Sequence, residues 1–420
     1  MRNIASKFFK RIHLRELCGN SIRSKKEKGN FEAECQKLWA SKPMVWKYPQ
    51  TERDSDTALE HVYVDMQTQD GLTKSEMLLT GSHSNMFRCY EVGYAKWDGI
   101  KGEESVPDLL QSLEIETETT SLQSPGPIWS ECVFSMDSSI SNISIPKKYY
   151  PQATDVDSSV PHALMTTLGS ETSGGSVWLI NLRGPLDRFD AGSLGRGMDE
   201  IFSLKSRIWS ADSYSDGSRA VVGTNIGAAL IDIETKRRRR ICRSESDVIS
   251  LQLDRSEKLV LCGLKSGAIV MVDTRQKCDK EWFGVMGNVH VPSPVSCLVA
   301  LKHDDYFLAG SMDGTIRLYD HRLTQRGAVQ LYEGNVNSHT RIQMGVDPSE
   351  RFLMSGGEDF YLRMWSINSG EMLYEDKFMN AVPSVLCWPR GDPECNRRPQ
   401  NHFPGAWLGS GEGLFYVDTS

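Results

Sequence analysis

The sequence lacks several features by which common protein classes are identified. Its 420 residues contain no apolar run close to the roughly 18 residues that a membrane-spanning helix requires, so we expect no membrane segment. The ten cysteines include no Cys-x-x-Cys pair, and Cys262, Cys297 and Cys387 lie in apolar stretches where cysteine serves as a small hydrophobic residue. This usage predicts reduced thiols in an intracellular protein.

Catalytic and cofactor-binding motifs are missing from the sequence as well. It contains no glycine-rich phosphate-binding loop, and its nine histidines are scattered without the spacing of a zinc site. No candidate nucleophile is accompanied by an identifiable base. We therefore expect a protein that is not an enzyme and that needs no metal or other cofactor.

The net charge of -7 is divided unevenly along the chain. Residues 1–28 carry nine Lys or Arg and two Glu, a local charge of +7, which leaves -14 for the remainder. Because contacts with phosphate need a basic surface, the acidic remainder argues against direct nucleic-acid binding as the main task.

The basic N-terminal segment has helical periodicity. Ile4, Phe8 and Ile12 recur every fourth residue with basic residues on the other flank, which predicts an amphipathic helix. It could dock on a partner or on the rest of the chain, form a surface or disordered arm, or target mitochondria. Residues 31–40 read as a second short helix that ends before Pro43. We assign residues 1–43 to a basic helical or disordered extension.

From about residue 60 onward, short runs with period-2 apolar alternation replace the helical pattern. Seven units align on the last residue of the third strand in each, at spacings of 90, 51, 41, 47, 46 and 52 residues. The aligned residues are Tyr90, Ile180, Ile231, Val272, Tyr319, Trp365 and Val417. A period of about 40–45 residues, stretched by loops, is typical of propeller blades. We therefore predict an all-β, seven-bladed propeller over residues 44–420.

Three segments interrupt the regular spacing. The 90-residue gap could hide an eighth blade, but residues 93–126 are rich in acidic side chains and are better explained as an acidic insertion. Residues 183–205 read as another long loop. A basic patch, Lys236, Arg237, Arg238, Arg239 and Arg240, follows a third strand, where we expect a turn between blades; it could be a nuclear-localisation signal or a solvated, partner-facing patch.

The last unit ends at Ser420, directly after its third strand, although a propeller blade has four strands. Another segment must therefore supply the missing outer strand. Residues 44–50 (MVWKYPQ), or those just after them, are the natural candidate for closing the ring.

The fifth and sixth units carry a set of polar and aromatic residues that resembles the His–Ser–Asp–Trp set of WD-repeat proteins. The residues are His290, Ser311, Asp313 and Tyr319 for the fifth unit and His339, Asp359 and Trp365 for the sixth, in which glycine replaces the serine. The resemblance implies a structural role for this set, a buried hydrogen-bond chain that fixes a tight turn, and not catalysis.

The fourth and fifth units each continue from the third strand into an Asp-x-Arg sequence, DTR at Asp273 and Arg275, and DHR at Asp320 and Arg322. This pair resembles the double Asp-x-Arg box of the WD-repeat substrate receptors of cullin-4 RING ubiquitin ligases. The resemblance implies that these four residues dock on the family's adaptor, damage-specific DNA-binding protein 1. The residues alone leave a second interpretation open, in which each aspartate forms a turn and each arginine occurs by chance or pairs with a nearby carboxylate.

The leading hypothesis is a non-catalytic substrate receptor of a cullin-4 RING E3 ligase in the protein ubiquitination pathway. The adaptor would bind the bottom rim and the N-terminal segment, and an unknown substrate protein would bind the opposite face. The alternative is a WD-repeat scaffold for another protein complex, and a nucleic-acid binder that uses residues 236–240 is the least favoured. We expect the protein in the nucleus and the cytoplasm.

Overall fold

The computed structural model describes residues 45–48, 55–68, 71–96, 123–146, 162–170, 172–182, 197–276, 285–301, 305–348, 350–388 and 405–417. Within these ranges, 28 strands form seven four-stranded antiparallel sheets. The predicted seven-bladed, all-β propeller is confirmed. The two expected helices in residues 1–43 lie outside the described residues, and so does most of the expected acidic insertion, since strands occupy the chain as far as residue 96 and again from residue 123.

The first three blades follow one another along the chain. Blade 1 comprises Asp56–Thr68 (β2), Gly71–Ser82 (β3), Met86–Lys96 (β4) and Gln123–Ser135 (β5). Blade 2 comprises Ile140–Ser144 (β6), His162–Thr167 (β7), Ser176–Asn181 (β8) and Met198–Ser203 (β9). Blade 3 comprises Ile208–Ser213 (β10), Arg219–Thr224 (β11), Gly227–Asp232 (β12) and Arg237–Arg243 (β13).

The next three blades repeat this order. Blade 4 comprises Val248–Leu253 (β14), Leu259–Leu264 (β15), Ala268–Asp273 (β16) and Val285–His290 (β17). Blade 5 comprises Val295–Ala300 (β18), Tyr306–Ser311 (β19), Ile316–Asp320 (β20) and Gln330–Tyr332 (β21), with a short 3-10 helix at Thr324–Arg326. Blade 6 comprises Gly345–Val346 (β22), Phe352–Gly356 (β23), Leu362–Ser366 (β24) and Met372–Asp376 (β25).

Blade 7 is assembled from both ends of the described chain. Its three inner strands are Pro383–Cys387 (β26), Ala406–Ser410 (β27) and Gly413–Val417 (β28), and its outer strand is Val45–Tyr48 (β1). β1 pairs antiparallel with β28, from Val45 opposite Val417 to Tyr48 opposite Leu414. The prediction that residues 44–50 close the ring is therefore confirmed.

The hydrophobic core of the described chain is divided among the seven junctions between neighbouring blades. Seven clusters of buried apolar residues occur, and each draws its members from two adjacent blades, the last of them from blades 7 and 1. The residue of each third strand on which the seven units align fills the junction with the preceding blade; Trp365 in blade 6, for example, packs against Leu308 and Tyr332 of blade 5. Each blade therefore depends on its neighbour to bury its face.

The meander of each blade sorts the connecting turns onto two faces of the ring. Connections from the first strand to the second, and from the third to the fourth, open on one side, which we call the lower face. The remaining connections open on the other side, the upper face. Turns that are far apart in sequence are thereby collected on a common surface.

Two segments were wrongly assigned from the sequence. Residues 183–205 were expected to form a long loop, but Met198–Ser203 is β9, the outer strand of blade 2. The four arginines at 237–240 were expected in a turn, but they lie on β13, the outer strand of blade 3, and only Lys236 occupies the turn. Both are outer strands with exposed side chains, so the buried alternation that marks the inner strands is weak there.

Candidate functional site

The Asp-x-Arg turn of blade 4 follows β16 on the lower face. The Asp273 side chain is only 4% exposed and accepts three hydrogen bonds from Arg275, from the backbone N–H to Oδ1 (2.9 Å), from Nε to Oδ1 (2.9 Å) and from Nη2 to Oδ2 (2.6 Å). The Arg275 side chain is 64% exposed. A buried carboxylate thus holds one edge of the guanidinium, while the rest of the group faces solvent.

The Asp-x-Arg turn of blade 5 repeats this geometry after β20. Arg322 donates to Asp320 from its backbone N–H (2.8 Å), from Nε (3.1 Å) and from Nη2 (3.0 Å). Its Nη1 also lies 3.4 Å from Oδ2 of Asp305, and the Arg322 side chain is 65% exposed. Both arginine side chains are thus largely exposed, and each pairs with its own aspartate.

These ion pairs fix the charge and orientation of both arginines. Hydrogen bonds from Arg275 and Arg322 lower the pKa of Asp273 and Asp320, and those bonds in turn raise the pKa of the two arginines. Both turns are therefore fully ionised at neutral pH. A bidentate pair restricts the rotamers of the arginine before any partner arrives, so less side-chain entropy is lost on binding.

The middle residue of each turn ties it to the neighbouring lower-face connection. Thr274 donates to the carbonyl oxygen of Lys258 from its backbone N–H (2.8 Å) and from Oγ1 (3.1 Å). The backbone N–H of His321 donates to the carbonyl oxygen of Asp305 (2.9 Å), and its ring packs edge-on against Phe307. Burial lowers the pKa of His321, so the imidazole is neutral at pH 7.

Arg239 is a further residue of this surface, and its role was missed in the sequence. From β13 of blade 3, its Nη1 donates to the carbonyl oxygen of Gln276 (2.9 Å), and its Nη2 donates to the carbonyl oxygen of Thr274. It thereby clamps the backbone that carries Arg275. The run of arginines was visible in the sequence, but its contact with the next blade required the strand geometry.

The remaining members of the basic patch spread along the outer edge of blade 3. Successive side chains on a strand point to opposite faces of the sheet. Arg239 accordingly faces blade 4, while Arg238 lies over the ring of Phe202 in blade 2, 5.9 Å from its centroid. Arg237 and Arg240 are exposed. The patch is a row of cations on a folded strand and contributes one clamp to the Asp-x-Arg turn of blade 4.

The polar set of blade 5 differs from the hydrogen-bond chain expected of it. His290 ends β17 with an exposed side chain, and Ser311 donates instead to the carbonyl oxygens of Ser293 (3.1 Å) and Pro294 (3.3 Å). Asp313 accepts from the backbone N–H of Thr315, two residues along (2.9 Å). Tyr319 is buried and stacks on Phe307. Ser311 thus bonds directly to the segment that precedes β18, and the side chain of His290 is not needed to fix the turn.

In blade 6, Glu358 accepts the hydrogen bonds between the turn and the incoming loop that were expected to involve His339 and Asp359. Glu358 accepts from Ser338 Oγ and from the backbone N–H of His339 (3.1 Å) and of Thr340 (2.9 Å). Burial alone would raise the pKa of Glu358, but these bonds together lower it to about 2.

The other two members of that set are also structural. Asp359 pairs with Arg363, and Trp365 Nε1 donates to the carbonyl oxygen of Glu333 (2.9 Å). Asp359 and Trp365 thus bond to Arg363 and to the backbone of Glu333 and not to His339.

Two kinds of feature are absent from the described ranges. They contain no group of three or more His, Cys, Asp or Glu side chains that could hold a metal ion. No helix within them has the length and apolar character needed to cross a membrane.

Comparisons with known proteins identify a family for this chain. One protein-family model, described as the DDB1- and CUL4-associated factor 4 beta-propeller domain, matches residues 154–385, more than half of the chain. DDB1- and CUL4-associated factor 4 of Homo sapiens is 30% identical over 168 residues, which are 40% of this chain and 32% of the human protein. The Bos taurus protein is 31% identical over 131 residues, 31% of this chain and 26% of the bovine protein.

A third relative is DDB1- and CUL4-associated factor 4-like protein 2 of Homo sapiens, which is 31% identical over 133 residues, 31% of this chain and 32% of the relative. The matched segments thus span about a quarter to a third of the length of these three proteins.

Proposed function

The chain belongs to the DDB1- and CUL4-associated factor 4 β-propeller family, and on that premise we propose that it is a non-catalytic substrate receptor of a cullin-4 RING ubiquitin ligase. The adaptor, damage-specific DNA-binding protein 1, binds the lower face around Arg275 and Arg322. A substrate protein binds the upper face. The receptor contributes proximity, because it holds substrate lysines near the ubiquitin-loaded enzyme that the ligase supplies.

One observation carries this proposal, the identical presentation of two arginines by neighbouring blades. Each guanidinium is pinned by a buried aspartate and is about two-thirds exposed, and both turns open on the same face. An aspartate that only forms a turn needs no arginine two residues later. Turn formation therefore does not explain why an exposed, oriented guanidinium occurs in both blades. Planar, oriented arginines at a surface are frequent anchors of protein interfaces.

The test is the double substitution Arg275→Ala with Arg322→Ala. We expect it to abolish co-purification of the adaptor and cullin-4 and to leave the fold intact, because both side chains project from the surface. The matched control is Arg237→Ala with Arg240→Ala, which removes the same charge from exposed positions on β13. We expect this control to retain the adaptor.

We also propose that the expected N-terminal helices contribute to binding of the adaptor. A variant lacking residues 1–43 shows how much of the adaptor affinity they carry, alone and combined with the double substitution. Full adaptor binding by the combined variant would refute docking through the Asp-x-Arg turns. Stoichiometric recovery of a different complex without cullin-4 would instead support a general WD-repeat scaffold. The localisation of the control variant tests whether residues 236–240 direct the protein to the nucleus.

A further inference from the structure

Blade 6 departs from the other blades in its upper-face turn between the second and third strands. Phe360 lies there with φ of 68°, in the left-handed region, where a bulky side chain is uncommon. The other six blades place glycine or asparagine in this region of the same turn: Asn85, Gly174, Gly227, Gly267, Gly314 and Gly413. Blade 6 alone therefore accepts the strain of a large aromatic residue at this position.

The backbone of this turn is as tightly bonded as that of its neighbour in blade 5. The N–H of Gly357 donates to the carbonyl oxygen of Tyr361 (3.0 Å), and the N–H of Phe360 donates to the carbonyl oxygen of Gly357 (3.0 Å). In blade 5, Gly314 has a positive φ and makes the corresponding hydrogen bond, although it has no side chain. Since the turn forms without an aromatic ring there, the ring of Phe360 is not needed to form it.

Phe360 and Tyr361 together form a pair of partly exposed rings that holds an ammonium group. Nζ of Lys377, an exposed residue, lies 5.0 Å from the centroid of Phe360 and 5.9 Å from that of Tyr361. Both distances fall within the range of a cation–π contact. The guanidinium of Arg363 lies 5.1 Å from the centroid of Tyr361.

The surroundings of the ring pair favour a positively charged partner with apolar flanks. Glu375, whose side chain is 42% exposed and pairs with Arg363 (2.7 Å), and Asp376 lie on the strand that leads to Lys377. On the other side, Val336 is 47% exposed, and its carbonyl oxygen accepts from the N–H of Glu358 (2.8 Å). The ring pair therefore lies between a strand that carries two carboxylates and an exposed apolar side chain.

We propose that the Phe360–Tyr361 pair on the upper face is a recognition site for a lysine side chain of a substrate protein, carried in a segment with apolar neighbours. Lys377 occupies the rings in the absence of that segment. Because its ammonium is exposed, an incoming lysine can replace it without opening the fold. The inference rests on the proposed function only in naming the ligand as a substrate of the ligase.

The test measures binding of a labelled peptide to the full chain by fluorescence anisotropy. The probe consists of four Leu-Lys repeats, and a peptide of four Leu-Gln repeats is the control. We expect the lysine peptide to bind at least several-fold more tightly. Phe360→Gly should weaken its binding about five-fold, a loss within the range of a cation–π contact. Lys377→Gln should tighten it because the internal competitor is gone.

Phe360→Gly is also expected to keep or raise the thermal unfolding midpoint, because glycine occupies the same left-handed position in blade 5 without strain. Unchanged peptide affinity in this variant would overturn the inference. So would a marked drop in its unfolding midpoint, since the ring would then serve the fold. Adaptor binding is measured in parallel: its absence alongside the expected peptide results would refute the proposed function and leave the lysine site standing.

Discussion

Arg239 offers the sharpest test of how the lower face is organised, because its two hydrogen bonds join blade 3 to the turn that carries Arg275. We expect Arg239→Gln to loosen this turn without unfolding the ring, since the junction between blades 3 and 4 keeps its apolar cluster. The matched control is Arg240→Gln. It removes the same charge from the next residue of the strand, whose side chain is exposed.

The size of the effect follows from the environment of the two bonds. A hydrogen bond from a charged donor contributes about 1.5–3 kcal/mol when it is well shielded. The bond to Gln276 is exposed and the bond to Thr274 is only partly buried, and surface ion pairs contribute about 0–1 kcal/mol. We therefore expect about 1–2 kcal/mol for the pair, which corresponds to roughly 5- to 30-fold in a local opening equilibrium.

Hydrogen exchange detects this opening directly. The N–H of Arg275 is bonded to Asp273 Oδ1, and the N–H of Gln276 is bonded to the carbonyl oxygen of Asp273. Both amides should exchange about 5- to 30-fold faster in Arg239→Gln and at the wild-type rate in Arg240→Gln. Adaptor affinity should likewise fall in Arg239→Gln and stay at the wild-type value in Arg240→Gln. Equal exchange rates in the two variants would refute the role of Arg239 as a clamp.

Two further predictions concern the fold. Glu358 has a pKa of about 2 when folded, against 4.5 when unfolded, so it stabilises the protein above pH 4.5 and this contribution is lost as the pH falls toward 2; urea unfolding at pH 3 and pH 6 should show a smaller difference between Glu358→Gln and wild type at the lower pH. The buried Tyr332 donates from its hydroxyl to the carbonyl oxygen of Ile367 (2.8 Å), so Tyr332→Phe should lower the free energy of unfolding by about 1–2 kcal/mol, and an unchanged denaturation midpoint would contradict this.

The inner strands could be predicted from sequence because each carries a buried residue at a fixed place. Trp365 and Val417, for instance, lie at or next to the last residue of a third strand and fill the junction with the preceding blade. The units align because each has a buried apolar residue at this position. The closing strand was predicted by topology, because the last unit had only three strands and the segment before blade 1 was the natural candidate for the fourth.

The outer strands of blades 2 and 3 were not predicted because they lack such a pattern of buried residues. Met198–Ser203 has one buried residue, and the first four residues of Arg237–Arg243 have none. Such strands are specified by pairing with the strand inside them, a contact that a local pattern does not encode. The polar set shows a related limit: the resemblance implied a buried hydrogen-bond chain through His290 and His339, but Ser311 and Glu358 bond instead to groups 17–20 residues away in the sequence.

The two proposed surfaces are separated by the length of the strands that connect them. Inner strands of five or six residues at about 3.3 Å per residue place the faces roughly 17–20 Å apart. This is about twice the Debye length of about 8 Å at physiological ionic strength, so charges on one face are largely screened from the other. Arg275 lies in blade 4 and Phe360 in blade 6, so no single blade links them. A substitution in the Phe360 turn can therefore alter substrate choice without disturbing the turns that we propose hold the adaptor.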